Sequence, residues 1–192
     1  NQMEDKVLNF YDNSILNINS DEYLDLTNNI SLLLRLEILG INVGNRWEYN
    51  STKVQNRLND NLLAFVDIHF MICLCFTNRK IANEYLKSIK KYHENNQDTY
   101  SNVSKNLSYS LCKAIIFYVD KKYKKSIFIL ENLILKSYLI GGSNAQRDIF
   151  ELILFDSLLK TNNQEKIKKF LQKRVIKRPQ NIFINKMINI NS

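Results

Sequence analysis

Glycine and proline are scarce in this chain of 192 residues, which has four of the first and one of the second. That scarcity excludes collagen-like repeats, Gly/Ser linkers and the turn-rich all-β folds, which need such residues at every reversal. The three cysteines, Cys73, Cys75 and Cys112, are an odd number inside apolar stretches, so a disulfide scaffold is excluded and a reducing, cytoplasmic setting is expected. Cys73 and Cys75 are two apart and point to different faces of a helix; they read as small core residues. There are only two histidines, neither in a pair at ligand spacing, so neither a metal nor a cofactor is expected. No Gly-rich phosphate loop, Gly-x-Ser-x-Gly elbow or Walker motif occurs. The longest apolar run, 62–76, is shorter than the ~20 residues of a membrane span and contains Asp67 and His69. It reads as a buried helix, and no membrane span or signal peptide is expected.

What is abundant is leucine, isoleucine, lysine and asparagine, with little alternation of period two. These favour an all-helical fold with short connections. The joint excess of Asn, Ile and Lys resembles a nucleotide-composition bias, so single asparagines and lysines carry little functional meaning. The formal charge is +8. Lysines and arginines cluster at 79–91, 121–125 and 166–178, each on the second helix of a helical pair, where a solvated outer face accounts for them. Aromatic residues do not interleave with these charges as a stacking platform for single strands requires, and no zinc-finger, helix-turn-helix or RNA-binding signature occurs. Nucleic acid is therefore not the expected partner.

Apolar periodicity and polar breaks predict helices over 3–16, a segment capped by Asp25 or Thr27 and running to Leu39, then 46–58, 62–77, 81–93, 100–119, 123–140, 144–160 and 165–177. Pro179 ends the last of these, and 182–190 can add a short turn or helix. The turns Thr77-Asn78-Arg79, Asp120-Lys121-Lys122 and Thr161-Asn162-Asn163 resemble one another and recur at roughly forty-odd residues, a spacing typical of helix-pair repeats. The expected architecture is an all-α solenoid of stacked antiparallel helical pairs forming one domain over 1–192. In it, 1–60 supply leading helices and 61–95, 100–140 and 144–178 supply the pairs, with the lysine-rich helices outermost.

The stretch 140–150 joins the last two pairs. Gly141 and Gly142 suit a helix end, and Ser143 with Gln146 has the spacing of a capping box. Arg35, Glu37, Arg46, Asp67, His69, Gln146, Arg147 and Asp148 lie in or beside apolar runs, where unpaired polar groups cost most. Two readings follow for this set. In one it is a ladder of pairs that fixes helix register. In the other it is a small-ligand or enzyme site, with Asp67 or His69 as acid or base beside an anion-holding arginine. Asp67 and His69 diverge on a helix, and no nucleophile accompanies them, so no catalytic residue is assigned. His93, ending a lysine-rich helix, reads as a surface imidazolium favoured by the helix dipole. Trp47 reads as a core wedge.

Four separated stretches carry a resemblance: Asp25-Leu-Thr-Asn-Asn-Ile-Ser-Leu-Leu-Leu-Arg-Leu-Glu-Ile-Leu-Gly40 followed by Val43-Gly-Asn-Arg-Trp47; Phe65-Val-Asp-Ile-His-Phe70; 140–150; and Leu171-Gln-Lys-Arg-Val-Ile-Lys-Arg-Pro179. In order and spacing they resemble the tetratricopeptide repeat protein 38 family. Leu34 stands where that family usually has tryptophan, and Asn144 where it often has histidine. The resemblance implies a tetratricopeptide-type solenoid and, with Asn1 at the start, the C-terminal part of a longer chain; it implies no activity, substrate or cofactor. The expected function is presentation of a groove to a protein or peptide segment.

Overall fold

The structure, a computed structural model, describes residues 2–16 and 20–177. The turn-forming residues 17–21 are expected to break the first helix; 17–19 lie outside the described residues, as do the stop at Pro179 and the extra element over 182–190, and 20 and 21 are not helical. Within them the chain is helical and contains no strand. The helices are α1 (Gln2–Phe10), α2 (Tyr23–Ile38), α3 (Arg46–Gln55), α4 (Ala64–Thr77), α5 (Arg79–Asn95), α6 (Thr99–Val103), α7 (Tyr109–Val119), α8 (Tyr123–Leu133), α9 (Asn144–Lys160) and α10 (Gln164–Lys177). A wider π-helical turn continues α1 at Tyr11–Ile15, another bridges α6 and α7 at Ser104–Ser108, and a tighter 3-10 stretch extends α8 over Ile134–Ile140.

Helix starts follow local chemistry where a short polar side chain stands before the first turn. Asn78, Asp98 and Ser143 accept from the backbone N–H three residues on, at 3.1, 2.7 and 3.2 Å. At α2 the expected cap is corrected: the helix starts at Tyr23 behind an extended Glu22 that makes no side-chain cap, and Thr27 Oγ1 instead donates to the Leu24 carbonyl at 2.9 Å. Asp25 and Thr27 thus sit inside the helix.

Three helix ends share one device. After α2, α7 and α9 a residue turns left-handed, namely Gly40, Lys121 and Asn162, with φ of 81°, 59° and 50°. In each case its N–H reaches three residues back and the next N–H reaches five back, as in Ile41 to Leu36, Lys122 to Phe117 and Asn163 to Leu158. This is the Schellman closure, which satisfies the last carbonyls of a helix.

α4 is the most enclosed helix, with every residue from Ala64 to Cys75 buried. It packs against α2, α3, α5 and α7; α8 packs against α7 and α9; α2 also reaches α9. The apolar positions of α2 explain that double contact, since Leu26, Ile30, Leu33 and Leu34 are all sealed. By contrast α5 and α10 bury one stripe each, Ala82-Tyr85-Ile89 and Ile167-Leu171-Arg174, and leave lysines outside. Trp47 is core: it is 4% exposed and stacks on Phe76 with centroids 4.6 Å apart. No helix is long and apolar enough to cross a membrane among the described residues.

Candidate functional site

The junction before α9 is a hydrogen-bonded knot. Ser143 Oγ accepts from the Gln146 N–H while Gln146 Oε1 accepts from the Ser143 N–H at 2.8 Å, closing the capping box. The Gln146 side-chain amide also donates to Asn28 Oδ1 of α2 at 3.3 Å. Arg147 turns back to donate to the carbonyls of Gly141 (3.1 Å) and Gly142 and to Asn144 Oδ1 (2.6 Å). Gly142 takes φ +73°, and its α-carbon lies so near α4 that a β-carbon would stand 2.7 Å from the Phe65 ring. A bare glycine is what lets the junction seat there.

One turn further on, Asp148 is shared. Arg35 of α2 donates to Oδ2 at 3.3 Å and to the Ala145 carbonyl at 2.9 Å, and Arg174 of α10 donates to Oδ1 at 2.6 Å and also to Glu151. Arg174 and Asp148 side chains are only 4% and 7% exposed. One carboxylate therefore ties three helices; the pairing reduces the desolvation cost of burying both charges, while Arg174 Nε has no partner among the described residues.

The remaining predicted residues sit elsewhere. Arg46 grips Asp12 through two bonds of 2.8 and 2.6 Å and also donates to the Val43 carbonyl, fastening α3 to the π-helical turn after α1. Glu37 accepts from the Trp47 indole at 3.3 Å. Asp67 accepts from Tyr85 at 2.7 Å and from Tyr100, joining α4 to α5 and α6. Burial pushes its carboxyl up to about 6, against the opposing effect of the two hydroxyl bonds. His69, fully buried, has Nδ1 at 2.8 Å from the Phe65 carbonyl; since a carbonyl only accepts, Nδ1 carries the proton. Burial pushes this imidazole down to about 4, and its Nε2 has no partner among the described residues. His93 departs from the surface expectation: it is half-buried, 3.2 Å from Ser104 Oγ and edge-on to Tyr109, and burial lowers its pKa. Lys105 and Lys90 add to the effect of burial, and Glu94 opposes it.

The predicted eight residues thus form separate ties, with only Arg35, Gln146, Arg147 and Asp148 brought together. A recess lies beside that group, between the Ile134–Ile140 stretch and helices α9 and α10, with a volume of about 820 Å³. Its floor is Leu154, Leu158 and Phe170; at its rim Leu135 and Tyr138 are 80% and 63% exposed. Leu135 and Tyr138 are three apart, so the 3-10 geometry brings them onto one side. Arg147, Asp148 and Arg174 contribute to its wall, while Asp67 and His69 do not. No histidine or cysteine lines it, and among the described residues no group of three or more His, Cys, Asp or Glu is placed to hold a metal ion.

No protein-family model matches this chain, and no solved structure matches it either.

Sequence reasoning missed Arg174, Tyr85, Tyr100 and the buried Asp156, which accepts from Tyr118 at 2.7 Å and from Lys160 at 2.8 Å. A signal for Arg174 and Tyr85 was present. Arg174 follows Ile167 and Leu171 at helical spacing, and Tyr85 lies between Ala82 and Ile89 on the same face. The exposed Leu135 and Tyr138 had no such signal, because their position depends on the tightening of the helix after Leu133.

Proposed function

We propose that this chain is a helical-repeat scaffold, similar to the C-terminal part of the tetratricopeptide repeat protein 38 family, that presents a groove to a segment of another protein. Three successive pairs, α4/α5, α7/α8 and α9/α10, support a stacked-pair arrangement, and so does the left-handed closure shared by the turns of the last two, at Lys121 and Asn162; the α4/α5 turn differs, with Asn78 extended at φ −141°. A cytoplasmic setting belongs to this reading, given three reduced, buried cysteines.

The observation that carries the proposal is the pairing of polar groups. Asp67 is engaged by two tyrosines and Asp148 by two arginines, while the open recess has an apolar floor and no nucleophile–base couple. The acid or base of the enzyme reading, Asp67 or His69, does not line that recess, and the carboxylates that do are held by cations. A groove with apolar anchors and a charged rim is what recognition of a chain segment requires.

Selection of a random peptide library on the immobilised protein tests this. A family of related sequences, enriched over a folded control protein, is expected; absence of any enrichment would overturn the proposal.

A further inference from the structure

Building on the segment-binding reading above, we propose that the recess between the Ile134–Ile140 stretch and α9–α10 takes an acidic segment with bulky apolar side chains. The charges around the recess decide its sign. Every carboxylate lining it already has a cation: Glu131 has Lys166 at 2.6 Å, Glu165 has Lys169 at 2.6 Å, and Asp148 and Glu151 share Arg174. The cations are in excess. Arg147 bonds only to neutral oxygens, those of Gly141, Gly142 and Asn144, and Lys173 has no carboxylate partner among the described residues. Five cations thus line the recess against four carboxylates, an excess of one positive charge, and Arg147 and Lys173 are the two that have no carboxylate partner among the described residues. A basic segment would meet them with repulsion, and a neutral one would leave them unanswered.

The exposure at the rim decides the size of the occupant. Leu135 and Tyr138 lie mostly in water, so a small anion seated on Leu154 and Phe170 would leave them uncovered. A chain segment running over the rim covers both. The two positions sit three residues apart on a 3-10 turn, about 6 Å along its axis, which matches apolar side chains spaced one turn apart on a helical ligand.

The test is fluorescence anisotropy with a labelled synthetic helical peptide bearing Leu and Phe on one face and Glu and Asp elsewhere. Two sister peptides replace the acids by Gln and Asn or by Lys and Arg. The acidic peptide is expected to bind about tenfold tighter than the neutral one, with affinity falling as salt rises, and the basic peptide not to bind. Leu135→Ser and Lys173→Glu, both at exposed positions, should keep the helical circular dichroism and each weaken the acidic peptide about tenfold. Equal binding of acidic and neutral peptides, unchanged in Lys173→Glu, would overturn the acidic preference while leaving segment binding intact. Failure of the acidic peptide alongside binding of library-selected ones would overturn the inference alone. Self-association of the protein that Leu135→Ser abolishes would assign the recess to a second copy and overturn it too.

Discussion

Arg174 and Asp148 meet at 2.6 Å with both side chains more than nine-tenths buried, one on the last described helix and the other on the first turns of α9. Asp148 also receives Arg35, so the contact links α10, α9 and α2 through one carboxylate. Removing Arg174 leaves Asp148 buried with a weaker partner and Glu151 without that guanidinium. Arg174→Met should cost about 2–4 kcal/mol by urea unfolding. The double variant Arg174→Met with Asp148→Leu should cost clearly less than the two single losses added together, because the stranded charge is gone. Additive losses would mean that the two groups do not depend on each other.

Gly142 is required twice, for its φ of +73° and for the space against Phe65. Gly142→Ala should destabilise by about 2–4 kcal/mol, combining left-handed strain with overpacking. Gly141, at φ +89°, faces open space. Its alanine variant should cost about 1–3 kcal/mol from backbone strain alone, because φ +89° with ψ −164° is a region that residues other than glycine rarely adopt. Thermal unfolding in a Phe65→Leu background separates the two: the smaller side chain should recover part of the Gly142→Ala loss and none of the Gly141→Ala loss, and no recovery would remove the Phe65 contact from the explanation.

Asp67 and His69 give opposing pH dependences in one window. The Asp67 carboxyl is raised to about 6, so the stability that it gives is fully present below its unfolded value near 4 and is lost as pH rises through about 6. The imidazole of His69 is lowered to about 4, so its stability is present above about 6.5 and is lost as pH falls towards 4. At ~1.4 kcal/mol per unit, each amounts to a few kcal/mol, and they nearly cancel. Stability between pH 4 and 6.5 should be rather flat for these two groups together. Asp67→Asn should expose a rise with pH over that range, and His69→Gln a fall. Variant profiles parallel to the parent would show that neither group titrates between folded and unfolded states as described.

The helices were legible because polar breaks and apolar stripes at helical spacing act locally. The Ser143–Gln146 box was legible for the same reason, since both partners lie within one turn. Features that depend on distant partners were not. The π-helical turn at Ser104–Ser108 lies where Ser104 meets His93 of another helix, and no local pattern marks it. Lysine-rich α10 reads as an outer surface, yet Arg174 turns inward because its register coincides with Ile167 and Leu171 and two carboxylates await it. The polar set of eight was legible as residues that need partners. For Arg35, Gln146 and Asp148 the partners depend on α2 reaching α9 across the fold, a contact between residues more than a hundred positions apart in sequence.

The central claim is that the recess between residues 134–140 and the α9/α10 pair is where a bound segment lies. Hydrogen–deuterium exchange of the protein with and without a library-selected peptide tests it most directly. Slowed exchange confined to 134–140 and the facing turns of α9 and α10, around Leu154 and Phe170, is the predicted result. Unchanged exchange there, with protection appearing instead on α5 or around Asp67 and His69, would contradict it.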